Sequence, residues 1–583
     1  MKKEDAKMSV TVAEYLFKRL TQLGVGSMHG VPGDFNLTLL DYVEPAGIRW
    51  VGNTNELNAG YAADGYARTK GLGALITTFG VGELSAINAI AGAYAERAPV
   101  VHIVGVPGRP TQDGRVQVHH TFNDGEFGRF AKMHAHVTVA QTKLWDTRTA
   151  AEQIDSTLAQ CLIHSRPVYI EVPVDVVDVR ISDQRLSAKI EIPTIQPSSS
   201  PSHDATVAKL QDKIAAAKQP VILVDGETRA MGVTDEVRDL VKATGWPTWT
   251  TGFAKSIIDE SLPNFHGLYR GTYDSQKTQD FFGAADLVLC FGPHFSGTNS
   301  FIFASLPDAA KTVSFSDSEI NFCGEVVRDL AVKHIIRKAA DDAKASAKPH
   351  YAAGSYPDLP KDSLLPFSTV QADKDIKQES VWRVLGNFFR EGDIIMAETG
   401  TASYGIKDAP LPKNTQLFSA VTWLSIGYML PAAQGAALAQ RELAESGRWH
   451  GVAKPRTVLI IGDGSFQLTA QELSTIIAHN LNVAVFVINN DGYTIERCIH
   501  GVRQRYNDVA RWRYMSAPQF FGAPEGAFTR SVRKWGELEE VLGERELADG
   551  EGLRMVEIIM DKEDAPVGPL AMLMDKQHAL LKK

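Results

Sequence analysis

The sequence predicts an α/β protein of three domains, each built on a mostly parallel sheet flanked by helices. Three observations carry that expectation: the length, a set of uniformly apolar β-branched runs, and two proline-rich breaks. At 583 residues, and about 150 residues per domain, the chain has room for three or four separately cored units. The runs Val100–Val104, Val221–Val224, Val458–Ile461 and Val483–Ile488 lack the polar alternation of a half-solvated strand, so their sheets are covered on both faces. Pro193–Pro201 and about Ala343 to Asp373 mix proline with small polar residues and read as linkers. In the second, Pro349, Pro357, Pro360 and Pro366 bar a continuous helix or central strand. The expected boundaries are 1–190, 203–342 and 374–583, the last with a carboxy-terminal tail. The first and third blocks have similar lengths, which is compatible with a shared architecture.

Composition narrows the class. The chain is 44% hydrophobic and 22% charged, with a mean hydropathy of -0.13, values of an ordinary globular protein. With 69 acidic against 60 basic residues and a net charge of -9, it has no strong field for nucleic acid or anionic lipid. Cys161, Cys290, Cys323 and Cys498 lie far apart, which excludes a Cys-x-x-Cys clasp and makes a disulfide framework unexpected. Met1 to Val10 lacks the apolar core of a secretory signal, and no apolar run of about 18 residues occurs. A reducing, cytoplasmic setting with no membrane partner is expected.

The most informative segment is the apolar run Val458–Ile461 followed by Gly462-Asp463-Gly464-Ser465. It continues, 24 residues after Gly464, in Asn489-Asn490-Asp491-Gly492 at the end of the run Val483–Ile488. Open α/β sheets bind ligands where their strands end. Glycines on both sides of Asp463 let a ligand approach the backbone. A carboxylate, an amide oxygen and backbone carbonyls form a hard oxygen set suited to Mg²⁺ shared with phosphate oxygens. Taken singly, Asp-Gly and Asn-Asp-Gly are common turn sequences; together at this spacing they point to a metal site.

That pattern resembles the motif of thiamine diphosphate enzymes. The resemblance implies a fold with an N-terminal pyrimidine-binding domain, a central domain and a C-terminal diphosphate- and Mg²⁺-binding domain. It also implies that Asp463, Asn490 and the carbonyl of Gly492 hold the metal, with Thr399, Gly400, Gly462, Gly464 and Ser465 around the cofactor. Thiamine chemistry needs a carboxyl on the pyrimidine N1′, and Asn53-Thr54-Asn55-Glu56-Leu57 supplies Glu56. Without that context, Glu56 reads as a first-turn acid reaching toward Arg68. The bulky wedge that bends the cofactor resembles Ile426 in Trp423-Leu424-Ser425-Ile426-Gly427; the alternative is a core isoleucine on a buried helix.

Further segments narrow the resemblance to the pyruvate decarboxylase branch, of fungal and yeast type, over nearly the whole chain. Gly30–Asn36 is similar to its substrate loop, Val118-His119-His120-Thr121 to its histidine pair, and Tyr493-Thr494-Ile495-Glu496 to its glutamate after the metal motif. Asp34, His119, His120 and Glu496 are thereby implied in protonating a carbanion and releasing an aldehyde. Adjacent histidines on a strand would face opposite ways, so a loop is required to present both. Ser403, Ile495, Ile499 and Phe301 or Phe303 are implied in the substrate pocket. The resemblance also implies at least a dimer, and a tetramer as a dimer of dimers, with sites between subunits.

Departures are visible. The chain reads Phe122-Asn123-Asp124-Gly125 where the family reads Leu-Gly-Asn-Gly. Asp225-Gly226-Glu227-Thr228-Arg229 holds no cysteine, so thiol-linked substrate activation is not expected. Glu442 to Pro455 reads as a surface insertion, and the basic run Arg497–Arg513 as a solvated or subunit-contact face. Gly80-Val81-Gly82 has Ser85 where a dinucleotide fingerprint needs glycine or alanine. The expected activity is conversion of pyruvate to acetaldehyde and CO₂. The competing readings are a decarboxylase for phenylpyruvate, indolepyruvate or branched-chain 2-oxo acids, a carboligase of the acetolactate synthase kind, and a non-catalytic assembly protein. The histidine pair with Glu496 argues against the carboligase. Retention of Glu56 and Asp463 argues against the assembly protein.

Overall fold

The computed structural model describes residues 9–197, 202–346 and 356–582. Parts of both proline-rich breaks, 198–201 and 347–355, lie outside the described residues.

The first sheet has six parallel strands: Ser27–Gly30, Arg49–Trp50, Gly73–Thr78, Val100–Val106, Ala140–Lys143 and Val168–Pro173. Numbered in chain order, they lie in space as 2-1-3-4-6-5. The third sheet also has six parallel strands: Ile394–Ala397, Gln416–Phe418, Thr457–Gly462, Val483–Asn489, Thr529–Val532 and Leu553–Ile559. Their spatial order is again 2-1-3-4-6-5, so the two units share one topology. The uniformly apolar runs are the central strands, and every residue of Val100–Val106 is buried. Helices cover both faces, as a parallel sheet requires.

The middle sheet is different. Pro220–Val224, Thr248–Thr250, Phe265–Leu268, Leu287–Phe291 and Thr312–Phe315 are parallel, and Ile320–Phe322 and Glu325–Val327 add an antiparallel edge. Their order is 3-2-1-4-5-6-7.

Residues 356–362 of the second expected linker are laid against the middle unit, where Leu359 is buried, Asp362 pairs with Arg270 at 3.1 Å and Lys361 donates to the Pro263 carbonyl, while Leu365, Phe367 and Val370 pack against the third unit. Glu442–Pro455, expected as a surface insertion, is mostly exposed and is anchored by Glu442 and Trp449. Glu442 belongs to helix Met429–Glu445 and accepts from Ser27 Oγ at 2.5 Å and Tyr66 OH at 2.6 Å. Trp449 is buried and donates to the Gly392 carbonyl.

First and third units are fused by two helices, Glu56–Lys70 and Met429–Glu445. Their backbones touch where side chains vanish. A Cβ on Gly65 would lie 2.1 Å from the Ala432 carbonyl oxygen, and one on Gly435 would lie 1.9 Å from that of Ala62. One apolar cluster, including Tyr61, Tyr66, Ala432 and Leu438, runs across the contact. Replacing Gly435 by Val should therefore force the helices apart and cost about 3 kcal/mol, seen as a lower thermal midpoint. Gly283→Ala, with no neighbour within 4 Å of the new atom, should leave the midpoint unchanged. Equal midpoints for the two variants would contradict the close-packing account.

Candidate active site

The third sheet builds one half of the site at the carboxyl ends of its strands. Gly462 closes one strand and Asp463 opens the helix Asp463–Thr469; the neighbouring strand ends at Asn489, with Asn490 next. Asp463 is 1% exposed. Its carboxylate accepts from the backbone N–H groups of Gly464 at 2.9 Å and Gly492 at 3.0 Å. Burial pushes the carboxyl up to about 7. Among the described residues it makes no ion pair with a cationic side chain.

The amide of Asn490 completes the picture. One of its two terminal atoms lies 2.8 Å from the Gly492 carbonyl oxygen and 3.1 Å from Asp463 Oδ1. With nitrogen there, the amide donates to both; with oxygen there, three oxygens converge, the donor set a hard cation takes. The glycines are required sterically. A Cβ on Gly464 would meet the Tyr493 ring at 2.4 Å, and Gly492 has φ +132 with the Asn507 carbonyl 2.1 Å from its missing Cβ. Beside this cluster the hydroxyl of Thr399 is buried without a partner, Gly400 faces open space, and Ser465 is buried. An orphaned donor beside an open, glycine-lined strand end fits a phosphate-bearing ligand.

A residue outside the sequence-derived set organises this edge. Glu398, directly after strand Ile394–Ala397, is fully buried and accepts from the N–H groups of Thr399 at 2.8 Å and Met429 at 2.9 Å. Burial raises its carboxyl to about 8. It ties the strand end to the turn carrying Ile426. That isoleucine sits on the turn before helix Met429–Glu445, half-buried, and not on a buried helix. The signal in the sequence was an acid immediately after an apolar strand, Ala397-Glu398-Thr399-Gly400.

The turn is gripped from two other units. Glu96 Oε1 accepts from the N–H groups of Val421 at 2.8 Å and Thr422 at 2.9 Å, and Ser296 Oγ donates to the Val421 carbonyl at 2.5 Å. Glu227, in the segment without cysteine, pairs with Arg97 at 2.9 Å and with His294 Nδ1 at 2.9 Å.

The first unit builds the other half. His119 Nε2 lies 2.5 Å from Asp34 Oδ2 and His120 Nε2 4.0 Å from Asp34 Oδ1. A loop presents both rings to one carboxylate, with His120 at φ +65. The turn of Gly80 makes this possible: its missing Cβ would lie 2.2 Å from the His120 carbonyl oxygen. Glu56 opens helix Glu56–Lys70, 3.1 Å from where Gly82 would carry a Cβ, so the Gly80–Gly82 turn touches both Glu56 and the histidine loop. Burial raises the Glu56 carboxyl. Glu56 does not pair with Arg68, whose guanidinium is held by Asp64 and Glu96.

Of the remaining residues, Phe301 and Ile495 lie near Tyr404. Ser403 is buried and donates to the Gly400 carbonyl. Lys407 Nζ stands 5.0 Å from the Tyr404 ring centroid and 5.5 Å from that of Phe301. Ile495 and Tyr404 pack against Cys498, Leu570 and Met574. Glu496 and Ile499 are exposed on helix Thr494–Ile499, and Phe303 is exposed on its loop. The basic run is corrected at its first member: Arg497 is buried, donating to the carbonyls of Val502 and Asn507 and to Asp508 at 2.6 Å. Arg503, Arg505 and Arg511 are solvated. All four cysteines are free.

No hydrogen bond or ion pair among the described residues joins the Asp34–His119–His120 cluster to the Asp463 cluster. Within one chain, Asn53 and Thr54 instead bind Glu472 at 2.8 and 2.9 Å. Glu472 is nine positions beyond Asp463, roughly 14 Å along a helical path.

Comparison with known proteins agrees with this arrangement. Residues 10–127 match the thiamine pyrophosphate enzyme N-terminal TPP binding domain, 207–342 its central domain and 399–558 its C-terminal TPP binding domain. The chain is 53% identical over 565 residues to a pyruvate decarboxylase of Aspergillus parasiticus, covering 96% of each. It is 38% identical over 558 residues to pyruvate decarboxylase isozyme 1 of Saccharomyces cerevisiae, again covering 96% of each. A solved Rhodococcus jostii RHA1 thiamine diphosphate-dependent 4-hydroxybenzoylformate decarboxylase has the same fold, with TM-score 0.74 at 18% identity over 95% of this chain and 99% of that one. The chain therefore belongs to the pyruvate decarboxylase family of thiamine pyrophosphate enzymes.

Proposed function

We propose that the chain decarboxylates pyruvate to acetaldehyde and CO₂ with thiamine diphosphate and Mg²⁺, as a cytoplasmic homo-oligomer of domains 1–190, 203–342 and 374–583. One observation carries the cofactor assignment: the buried, uncompensated carboxylate of Asp463 beside the oxygens of Asn490 and Gly492. Those three residues would hold the metal, and Thr399, Gly400, Gly462, Gly464 and Ser465 would surround the diphosphate. When bound, thiamine diphosphate supplies the electron sink for the pair left behind as CO₂ departs. Glu56, raised by burial, would hold a proton on the pyrimidine N1′. Ile426, on the turn held through Glu398 and Glu96, would pack against the cofactor. Asp34 with His119 and His120, and Glu496 from the third unit, would deliver the proton that releases aldehyde.

The separation of the two half-sites within one chain supports a dimer in which the first unit of one copy faces the third unit of another. Absence of a helix long and apolar enough to cross a membrane among the described residues is compatible with the cytoplasmic assignment. Release of CO₂ from a panel of 2-oxo acids, with and without thiamine diphosphate, tests the function directly. Cofactor-independent release, or none from any 2-oxo acid, would overturn it.

Asp463→Ala should fold yet lose cofactor retention, because the metal bridge to the diphosphate is gone. Titration calorimetry giving unchanged thiamine diphosphate affinity would contradict the assignment. Glu56→Gln keeps the shape but lacks the acidic proton. Cofactor should still bind while hydrogen exchange at its C2, followed by NMR, slows by about 100-fold or more. Asp34→Asn and Glu496→Gln should impair product release more than cofactor activation, raising the ratio of acetoin to acetaldehyde; an unchanged ratio counts against the relay.

Substrate size follows from Thr399, Ser403, Ile495, Ile499 and Phe301 or Phe303. Bulky isoleucine and phenylalanine side chains favour a methyl-sized group, and one methylene in an apolar pocket discriminates by about 1–3 kcal/mol. We therefore expect kcat/KM to fall from pyruvate through 2-oxobutanoate to phenylpyruvate. A higher value for phenylpyruvate than for pyruvate would move the chain to the aromatic decarboxylase reading.

A further inference from the structure

Beside Tyr404 a cavity of about 440 Å³ opens between the middle and third units. Arg270 and Phe301 line it from the middle unit, and Tyr404, Lys407 and Asp408 from the third. Lys407 has no part in the proton transfers or cofactor contacts of the two half-sites.

Two lysines are buried among the described residues, Lys255 and Lys407, and they are held in opposite ways. Lys255 pairs with Glu260 at 3.0 Å. Lys407, 2% exposed, makes no hydrogen bond or ion pair among the described residues. Its Nζ lies instead 5.0 Å from the Tyr404 ring centroid and 5.5 Å from that of Phe301. Ring faces attract an ammonium's charge without satisfying its three donors. Gly252 makes the room for this side chain, since a Cβ there would lie 2.7 Å from Lys407 Cε and 3.1 Å from Nζ.

Burial pulls the Lys407 amine down to about 8, with Asp408 opposing the fall and Arg270 adding to it. An amine titrating there carries roughly a hundred times more free base at neutral pH than an ordinary lysine. Desolvation beside another cation is how proteins turn lysine into a nucleophile for carbonyl carbon. The surroundings select the electrophile. A carbamate formed from CO₂ would set a new anion between ring faces and beside Asp408, which already holds Arg270 at 3.0 Å. An imine adds only a small apolar group, which the rings of Phe301 and Tyr404 accept.

We propose that Lys407 is a covalent, reversible binding site for short aliphatic aldehydes, the class of product that decarboxylation of pyruvate releases. The proposal rests on the decarboxylase reading for the source of the aldehyde. The Nζ lone pair bonds to the aldehyde carbon while the carbonyl π pair moves to oxygen, which takes a proton. The carbinolamine then loses that oxygen as water, nitrogen gives up its remaining proton, and a C=N bond is left. One amine and one aldehyde become one imine and one water, with no oxidant or reductant. With acetaldehyde the adduct is an ethylidene group set against Tyr404 and Phe301.

The test uses the holoenzyme at saturating thiamine diphosphate and Mg²⁺, without pyruvate, and adds acetaldehyde directly. A failed label then leaves decarboxylation standing, and failed decarboxylation leaves the label readable. Limiting acetaldehyde with cyanoborohydride at neutral pH reduces each imine to N-ethyl-lysine, which peptide mass spectrometry locates. Lys407 should be labelled roughly tenfold or more faster than a solvated lysine, represented by exposed Lys374, while ion-paired Lys255 stays unlabelled. Dilution before the reductant is added should abolish the label at Lys407. Labelling of Lys407 no faster than Lys374 would overturn the site, and a label that survives dilution would overturn the reversible imine. A carbamate at Lys407, formed from bicarbonate and trapped with trimethyloxonium, without N-ethyl-lysine from acetaldehyde would overturn the aldehyde class.

Discussion

A carboxylate buried without a cation is the constraint on which the rest of this structure depends. Asp463 is held at the carboxyl edge of the third sheet by two backbone N–H groups, and burial, with the nearby Asp491 charge adding to it, raises it to about 7. Folding such a group costs free energy unless a ligand returns the lost solvation. Much of the third unit is arranged to keep that return possible. Glycines at 464 and 492 remove side chains that would collide with Tyr493 and Asn507, and Glu398 fixes the adjacent strand end to the turn of Ile426.

The first unit repeats the topology without repeating the chemistry. The same 2-1-3-4-6-5 order ends in the third sheet on an oxygen cluster, and in the first on a group of one carboxylate and two imidazoles. The glycine contacts between helices Glu56–Lys70 and Met429–Glu445 fix these two sheets as one body. Within that body the first unit reaches the third at Glu472 and at residues 421–425, away from Asp463.

What was legible in the sequence was contiguous or periodic. The buried parallel strands announced themselves by unbroken apolar runs. The Asp463 and Asn490 motif was legible because both residues follow strands that lie side by side in the sheet. Glu398 and Glu96 were missed because their partners are backbone N–H groups at 421–429, which no residue-type pattern records. Arg497 was misread as solvated for the matching reason: three of its acceptors are carbonyls of a loop folded back around it. Likewise Glu442 resembled a surface acid until Ser27 and Tyr66, over 370 positions away, were brought to it by the helix contact.

The central claim is that one catalytic centre joins the first unit of one copy to the third unit of another. Mixing Glu56→Gln and Asp463→Ala proteins, each inactive alone, after dissociation and reassociation tests it most directly. If the centre lies between subunits, half of the random dimers are mixed and each has one intact site of two, giving about a quarter of wild-type turnover. Mixtures as inactive as their parents, with mixed dimers shown to have formed, would contradict the account and place both residues in one chain's own site.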